Sequence, residues 1–572
     1  MAEKESLLRA DVSESGDIPV ADWAKLKVTP NDCTIAQPPG ACPEPSRQAY
    51  SDKLKIAVLN ATGACSAGTG CIAQRFDHFQ SGDFTPNGNH IVVTLEFIGA
   101  PAAPHPASIY RGEQVILLKT DNTTFSNGDP WKCLSCGVPA SNPQYTKPQK
   151  DYPHVTRSGT RALLGQSILQ CGGQLLTSDE CTPDNSYIYP IYWPISADGS
   201  APGGTLRELR LHPDDEHVGG DVLTPRYDLV NVSMLIQPNG SAPIMASVDT
   251  LELHPKAITV GELRGFRGSG DEILYIGYPY EANNIDIFAV HLVTGAVRRL
   301  TSHPEYIDLI SFSADNQWVV GMDTRGSNRQ MWMSGMRMVP PVVDLVTVTA
   351  AASIRNNRHR RFFQPILLDR YGDRGDYVGQ QVNAAGDGSN SSINDPNWNG
   401  RADPAFSPDG TKIVYSQSLV TYPACGGDNP LPCAESTADR GRTYRVMLAH
   451  LTSRKPSTPA PVFKVPESVP WAMLFPPDAA LPEPYTLEPR NIHPSGQIQR
   501  SCTLTIPEDN PWMNHLDWYS DLTQTGAVHA SKNTSLDGFH MCIDEMKNIF
   551  MANGTLTTTI DGVVYAQPAN GT

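Results

Sequence analysis

The sequence predicts an all-β fold, a β-propeller of seven blades with an N-terminal arm and a C-terminal β extension, and three observations carry that expectation. The first is a hairpin template, clearest in Asp403-Pro404-Ala405-Phe406-Ser407-Pro408-Asp409-Gly410-Thr411-Lys412-Ile413-Val414-Tyr415-Ser416. A short apolar strand and an alternating one flank a Ser-Pro-Asp-Gly turn, where Pro presets φ and Gly accepts the positive φ the turn needs. The second is repetition of that hairpin at about the spacing of one supersecondary unit, the signature of a propeller. The third is composition: 18% charged residues with 49 Pro and 46 Gly in 572 residues, a loop-rich globular chain that a single ring of repeats can absorb.

Six further copies follow the template with decreasing fidelity. Phe84-Thr85-Pro86-Asn87-Gly88 leads into Ile91-Val92-Val93, and Phe312-Ser313-Ala314-Asp315-Asn316 into Trp318-Val319-Val320. Weaker copies are Val155-Thr156-Arg157-Ser158-Gly159 before Ala162-Leu163-Leu164, Leu211-His212-Pro213-Asp214-Asp215 before His217-Val218, and Phe266-Arg267-Gly268-Ser269-Gly270 before Ile273-Leu274-Tyr275-Ile276. The faintest is Ile492-His493-Pro494-Ser495-Gly496.

In chain order, residues 1–75 read as an arm and disulfide-linked lead-in that includes a candidate strand, Lys55 to Leu59. Blades occupy 76–514. The Phe266 copy is the tidiest, with strands expected at 273–278 and 285–292 and closure by Val297-Arg298-Arg299. The template disappears over an insertion at 336–400, where Val342 to Arg358 is apolar enough for a helix and Arg355 to Arg361 forms a basic patch. A proline-rich connection runs from Pro456 to Pro489, and the β-rich segment 515–572 either completes the last blade or forms an appended sheet.

A formal charge of −16 speaks against nucleic acid as a partner, because phosphate neutralisation needs a basic surface. No apolar run reaches the roughly 18 residues that cross a bilayer, so no membrane span is expected. Twelve cysteines fall into the couples Cys33/Cys42, Cys65/Cys71, Cys133/Cys136, Cys171/Cys181, Cys425/Cys433 and Cys502/Cys542. Disulfides are the expectation, since the single CxxC has neither a second CxxC nor spaced histidines to make a zinc site. Oxidised cysteines, with Asn-x-Ser/Thr triplets at Asn60, Asn122, Asn231, Asn239, Asn390, Asn533, Asn553 and Asn570, point to a secreted protein carrying N-glycans. Residues 1–30 show no run of about 7–15 apolar residues, so a leader is expected to be absent from this chain.

Ligands of propellers enter at the mouth of the channel, where the inner strands begin. Four residues upstream of each template apolar position lie Gln80, Asp151, Arg207, Glu262, Asp308, Ala402 and Glu488, an acidic ring containing an arginine. Crowded carboxylates raise one another's pKa, so that one holds a proton while another stays ionised, the arrangement that glycosidic hydrolysis uses. The expected acid and base or nucleophile are Glu262 and Asp308 or Glu488, with Asp151 in reserve. Arg207, Arg264, Arg401 and Arg490, beside His154 and Glu305, suit an anionic substrate group. Tyr278, Tyr280, Trp398 and Tyr422 supply apolar faces on rim loops. The same charges also suit a self-neutralised structural network. No G-x-S-x-G elbow, HExxH, Walker loop or G-x-G-x-x-G is present. No cofactor or resident metal is expected; His78, His105, His154, His212 and His217, if the ring gathers them, leave a metal-assisted uronate lyase as an alternative, beside a non-catalytic carbohydrate- or protein-binding propeller.

The hairpin, above all Phe406-Ser407-Pro408-Asp409-Gly410 with Ile413-Val414-Tyr415, resembles the repeat of TolB-type propellers, a likeness of fold that implies no activity. The stretch from Cys71-Ile72-Ala73-Gln74-Arg75-Phe76-Asp77-His78-Phe79 through Gly88, and Asn127-Gly128-Asp129-Pro130-Trp131-Lys132-Cys133-Leu134-Ser135-Cys136-Gly137, resembles the secreted fungal saponin hydrolases over about the first third of the chain. That resemblance implies hydrolysis of the β-glucuronosyl bond between a triterpene aglycone and its sugar chain. It assigns no catalytic residue.

Overall fold

The computed structural model describes residues 54–58, 76–97, 99–121, 123–144, 153–165, 167–192, 205–211, 227–235, 244–246, 251–253, 262–277, 286–301, 307–324, 363–373, 377, 379–384, 393, 395, 397–400, 404–419, 435, 443–463, 469–474, 504–505, 515–518, 522–524, 532–544, 549–560 and 563–566. Strands dominate them, and no described helix is long and apolar enough to cross a membrane.

The repeat is realised as a propeller. Phe76–Phe84, His90–Phe97, Glu113–Lys119 and Trp131–Cys133 form the Phe84 blade, and Pro153–Val155, Arg161–Leu164, Ser167–Gln170 and Tyr187–Tyr192 the Val155 blade. Glu262–Phe266, Glu272–Gly277, Asp286–His291 and Val297–Arg299 make the Phe266 blade; Ile307–Phe312, Trp318–Asp323, Gln364–Asp369 and Gln380–Gln381 make the Phe312 blade. The Phe406 blade has an inner edge broken into Trp398–Gly400 and Ala405–Phe406, followed by Lys412–Leu419 and Tyr444–Leu451. Its outer strand is Leu54–Val58, from the candidate arm, paired antiparallel with Tyr444–Leu451. Within the stretch set apart as an insertion, Gln364–Asp369 and Gln380–Gln381 are blade strands. The helix expected over Val342 to Arg358 lies outside the described residues.

The described residues thus hold five four-stranded blades, against the seven expected. The Leu211 copy fails as a tight hairpin. Leu211 ends the strand Thr205–Leu211 and pairs with Tyr227, not with the His217-Val218 run. Residues 212–226, which include its template turn, lie outside the described residues. The Ile492 copy lies outside the described residues.

In the five realised copies the closing residue has φ of +69° at Gly88, +71° at Gly159, +83° at Gly270, +63° at Asn316 and +71° at Gly410. Each N–H bonds back to the residue three before it: Thr85, Thr156, Arg267, Ser313 and Ser407, at 2.7 to 3.0 Å. Local chemistry therefore sets the hairpin, and packing sets its neighbours. Ile91, Val93 and Leu95 share a core with Val446 and Leu448 of the Phe406 blade, whereas Val92 packs with Ala162 and Leu164 of the Val155 blade. Ile413 and Tyr415 face the Phe312 blade while Val414 faces the Phe84 blade. The period-two alternation of a strand thus buries both faces of a blade, which is why its second and third strands read as near-continuous apolar runs. The core carries the ring from Phe266 through Phe312 and Phe406 to Phe84 and Val155.

Turns of adjacent blades also touch. Ser269 N–H donates to Asn316 Oδ1 at 2.9 Å and Asn316 Nδ2 to Ser269 Oγ at 2.9 Å; Lys412 Nζ donates to the Gly88 carbonyl at 3.2 Å. Beyond the blades, Tyr227–Met234 pairs in parallel with the end of the Val155 blade and antiparallel with Thr205–Leu211. The C-terminal strands Leu504–Thr505, His515–Trp518, Leu522–Gln524, Lys532–Asp544, Ile549–Ile560 and Val563–Ala566 pair with one another in a separate sheet. Disulfides join Cys133 to Cys136 and Cys171 to Cys181, as the spacing predicts. Each of the other four couples has a member outside the described residues.

Two outcomes test this account. A Cβ on Gly268 would lie 2.6 Å from the carbonyl oxygens of Ser313 and Ala314 in the next blade, so Gly268→Ala should destabilise by about 1–3 kcal/mol in urea unfolding. Burial, and then the charge of Lys119, hold the imidazole of His90 down to about 4 from its ordinary 6.5. As pH falls between those values the unfolded chain binds a proton that the folded chain refuses, so this contribution to stability is lost on acidification. His90→Gln should flatten that part of a pH series of thermal melts, and an unchanged series would contradict it.

Candidate functional site

A register shift interrupts the inner strand in three blades: between Gln80 and Asp83, between Leu263 and Gly265, and between Asp308 and Ile310. Each bulge sets two residues against one and shifts the alternation that follows. Four residues upstream of the template position is therefore three rungs along the partner strand. Phe84, Phe266 and Phe312 pair with Ile91, Ile273 and Val319, while Gln80, Glu262 and Asp308 pair with Thr94, Ile276 and Met322. Glu262 and Asp308, the first expected pair of carboxylates, thus occupy equivalent rungs of adjacent inner strands. In Thr205–Leu211 the equivalent rung belongs to Glu208, paired with Val230, and the expected Arg207 sits at the register shift itself.

Arg264, at the bulge of its strand, reaches into the next blade, where its Nη2 lies 2.5 Å from Asp308 Oδ1. Side-chain exposure is 9% for Arg264 and 1% for Asp308, so the pair is buried and charge-compensated. The expected substrate arginine is thereby an inter-blade partner of an expected catalytic carboxylate. His154 is exposed at the centre of Pro153–Val155. Beside it stands Asp83, which the sequence reading missed: Asp83 Oδ2 accepts from Val155 N–H at 2.7 Å across two blades. Burial pushes the Asp83 carboxyl above the usual carboxylate range, against the opposing charge of His154 and N–H groups of Val155 and Phe84. Asp151, Glu305, Arg401, Glu488 and Arg490 lie outside the described residues.

A second polar cluster joins the Phe312 and Phe406 blades. Gln364 Nε2 donates to Asn399 Oδ1 at 3.0 Å, Asn383 Nδ2 donates to Gln364 Oε1, and Gln381 Nε2 donates to Asn383 Oδ1 at 3.2 Å. Ile307, Asp323 and Gln364 form one cross-strand row, next to the row of Asp308, so this cluster lies at the same end of the blades. Arg445 Nε donates to Gln417 Oε1 at 2.7 Å, and its guanidinium lies 4.5 Å from the centre of the Trp398 ring. Burial pulls Arg445 down to about 10, against Tyr415 and Asp395. Trp398 is correspondingly a buried strand residue, not a sugar-facing rim aromatic; Tyr278, Tyr280 and Tyr422 lie outside the described residues. Spacing gives no sign of these amides because they fall in and beside the expected insertion.

Of the histidines, His105 Nδ1 accepts from Ala107 N–H at 3.1 Å as a cap, and His212 and His217 lie outside the described residues. No group of three or more His, Cys, Asp or Glu is placed to hold a metal ion among the described residues. Cys133 and Cys136 are joined to each other.

No protein-family model matches the chain, and no curated protein matches it. Among solved structures it is similar to a putative TolB from Agrobacterium tumefaciens, at 12% identity over 64% of this chain and 78% of that one, with a TM-score of 0.21. TolB from Acinetobacter baumannii is 11% identical over 67% of this chain and 56% of its own, with a TM-score of 0.21. An oligogalacturonate lyase in complex with manganese is 10% identical over 70% and 98%, with a TM-score of 0.29. Scores this low carry no argument, and the propeller rests on the strand pairing of this chain.

The buried ion pair yields a stability prediction. Arg264→Met leaves Asp308 in the core without its arginine and should cost about 3–5 kcal/mol, whereas the double variant Arg264→Met/Asp308→Leu should recover most of that loss in urea unfolding.

Proposed function

We propose that this propeller is a secreted glycoside hydrolase that cleaves the β-glucuronosyl bond between a triterpene aglycone and the sugar chain of saponins. The observation that carries the reading is the shared rung of Glu262 and Asp308 on adjacent inner strands, with Arg264 between the blades. Glycosidic hydrolysis uses two carboxyl groups, one as acid and one as base or nucleophile, so a pair on adjacent inner strands is the arrangement it needs. Glu262 and Asp308 are the expected acid and base or nucleophile, and Arg264, whose Nη2 lies 2.5 Å from Asp308 Oδ1, fixes the position of the Asp308 carboxyl. Glu488 and Asp151 are the further carboxylates of the ring. The likeness of the first third of the chain to the saponin hydrolases supplies the substrate class, and a glucuronosyl anion suits a wall that contains arginine. The two disulfides fit an oxidising compartment outside the cytosol.

The burial of the Arg264–Asp308 pair favours a second reading, a binding propeller in which these charges only fasten one blade to the next. Incubation with a glucuronide saponin separates the two. The hydrolase releases free aglycone and a saturated glucuronosyl sugar; release of an ultraviolet-absorbing unsaturated sugar would replace the hydrolase with a lyase, and no release would leave the binding reading. Glu262→Gln and Asp308→Asn should each lower turnover by about 100-fold or more, measured on folded protein below the melting temperature because Asp308→Asn also leaves Arg264 without its carboxylate. Full activity in both variants and in Glu488→Gln and Asp151→Asn would remove these carboxylates from the chemistry.

A further inference from the structure

The segment that follows the last strand of the Phe406 blade lies outside helix and strand, yet its backbone is engaged at regular intervals. Ser457 N–H donates to the Asp409 carbonyl at 2.9 Å, Ala460 N–H to Ala314 at 2.7 Å, and Phe463 N–H to Ser269 at 2.7 Å. The donors are three residues apart, and polyproline II has three residues per turn, so they project along one edge. Their acceptors lie in the template turns of three successive blades: Phe406, then Phe312, then Phe266. Pro456, Pro459 and Pro461 fall only at positions from which no N–H is required.

The path continues beyond these turns. Trp471 Nε1 donates to the His291 carbonyl at 3.1 Å, and its ring seats on Gly295, whose added Cβ would come within 3.2 Å of the indole. Val469 is buried in the core of the Phe266 blade, with Trp471 packed against it. Met473–Leu474 then pairs with Ser233–Met234. One run of chain therefore visits the Phe406, Phe312 and Phe266 blades and the sheet of Tyr227–Met234, in the reverse of their order in the sequence.

We infer that the proline-containing stretch 454–463, with residues 469–474, is a clamp that fastens four sheets of the propeller to one another, reading one template turn in each of three blades with every third N–H and joining the fourth sheet through Met473–Leu474. A chain already held near the polyproline geometry loses little conformational entropy on docking, so three hydrogen bonds and two tryptophan contacts suffice to hold it. The clamp makes opening between two blades require its release from all of them.

Proline substitution tests the clamp selectively, since an extended segment tolerates the ring and loses only the donor. Ala460→Pro removes the bond to Ala314, whereas Thr458→Pro is the control, because Thr458 N–H has no backbone partner among the described residues. Ala460→Pro is expected to lower Tm by about 1–3 °C relative to Thr458→Pro. It should also raise amide exchange by about tenfold in the strands of both the Phe312 and Phe266 blades. Trp471→Phe, which keeps a ring but loses the donor to His291, should raise exchange in the same two blades. If Ala460→Pro fails to fold while Thr458→Pro folds, the clamp is supported. Equal behaviour of the two proline variants, or faster exchange confined to residues 454–463, would overturn it.

Discussion

The structure depends on each blade being buried on both faces. A sheet with one apolar face is finished when a single partner covers it; a blade such as that of Ile413, Val414 and Tyr415 needs a neighbour on either side. Apolar burial contributes roughly 25 cal/mol per Å², so a blade missing one neighbour forfeits a large part of what holds it flat. Among the described residues the Phe84, Phe312 and Phe406 blades each have a blade packed on either side. Closure by Leu54–Val58 and the run along the template turns both serve that requirement, the first by completing an outer edge and the second by crossing several blades at once.

Electrostatics follow from the same geometry. Buried polar groups at the blade seams are met by partners from the next blade: Arg264 by Asp308, the Asp83 carboxyl by Val155 N–H, Asn399 by Gln364. Elsewhere the pairing stays within one sheet, as where Arg298 makes a bidentate contact to Glu272 at 2.7 and 2.9 Å, but it still extends to the neighbour through the Arg370 carbonyl at 2.7 Å. A polar wall of this kind can recognise a substrate, and it also sets the order of the blades. Arg264 and Asp308 therefore fasten one blade to the next, whatever chemistry is proposed for them.

Much of the fold was legible because one turn is local chemistry. Gly88, Gly159, Gly270 and Gly410 announce a positive φ, and Asn316 takes the same conformation while its amide reaches the adjacent turn. The Leu211 copy was misleading: Leu211 pairs with Tyr227, sixteen residues on, and not with the adjacent His217-Val218 run. The rung of Glu262 and Asp308 was legible for a less obvious reason: both strands carry a bulge, so counting four residues gave equivalent places, and an unshared bulge would have separated them. Arg207 shows that hazard. The amides at Gln364, Gln381, Asn383 and Asn399 come together through pairing between distant segments, which spacing does not encode.

Leu54–Val58 precedes all five described blades in the chain and pairs with a strand that appears roughly 390 residues later. At about 5–20 residues per second, that separation amounts to roughly 20–80 s in which an apolar edge, Leu-Lys-Ile-Ala-Val, has no partner while the blades between are assembled. The order of translation and the order of assembly are thus opposed in this chain. A nascent ring that is still open offers two unpaired places, the early strand and the bare outer edge of Tyr444–Leu451, and two such chains meeting before closure would exchange them. The strand that completes the outer edge of the Phe406 blade is thus, among the described strands, the one that waits longest for its partner.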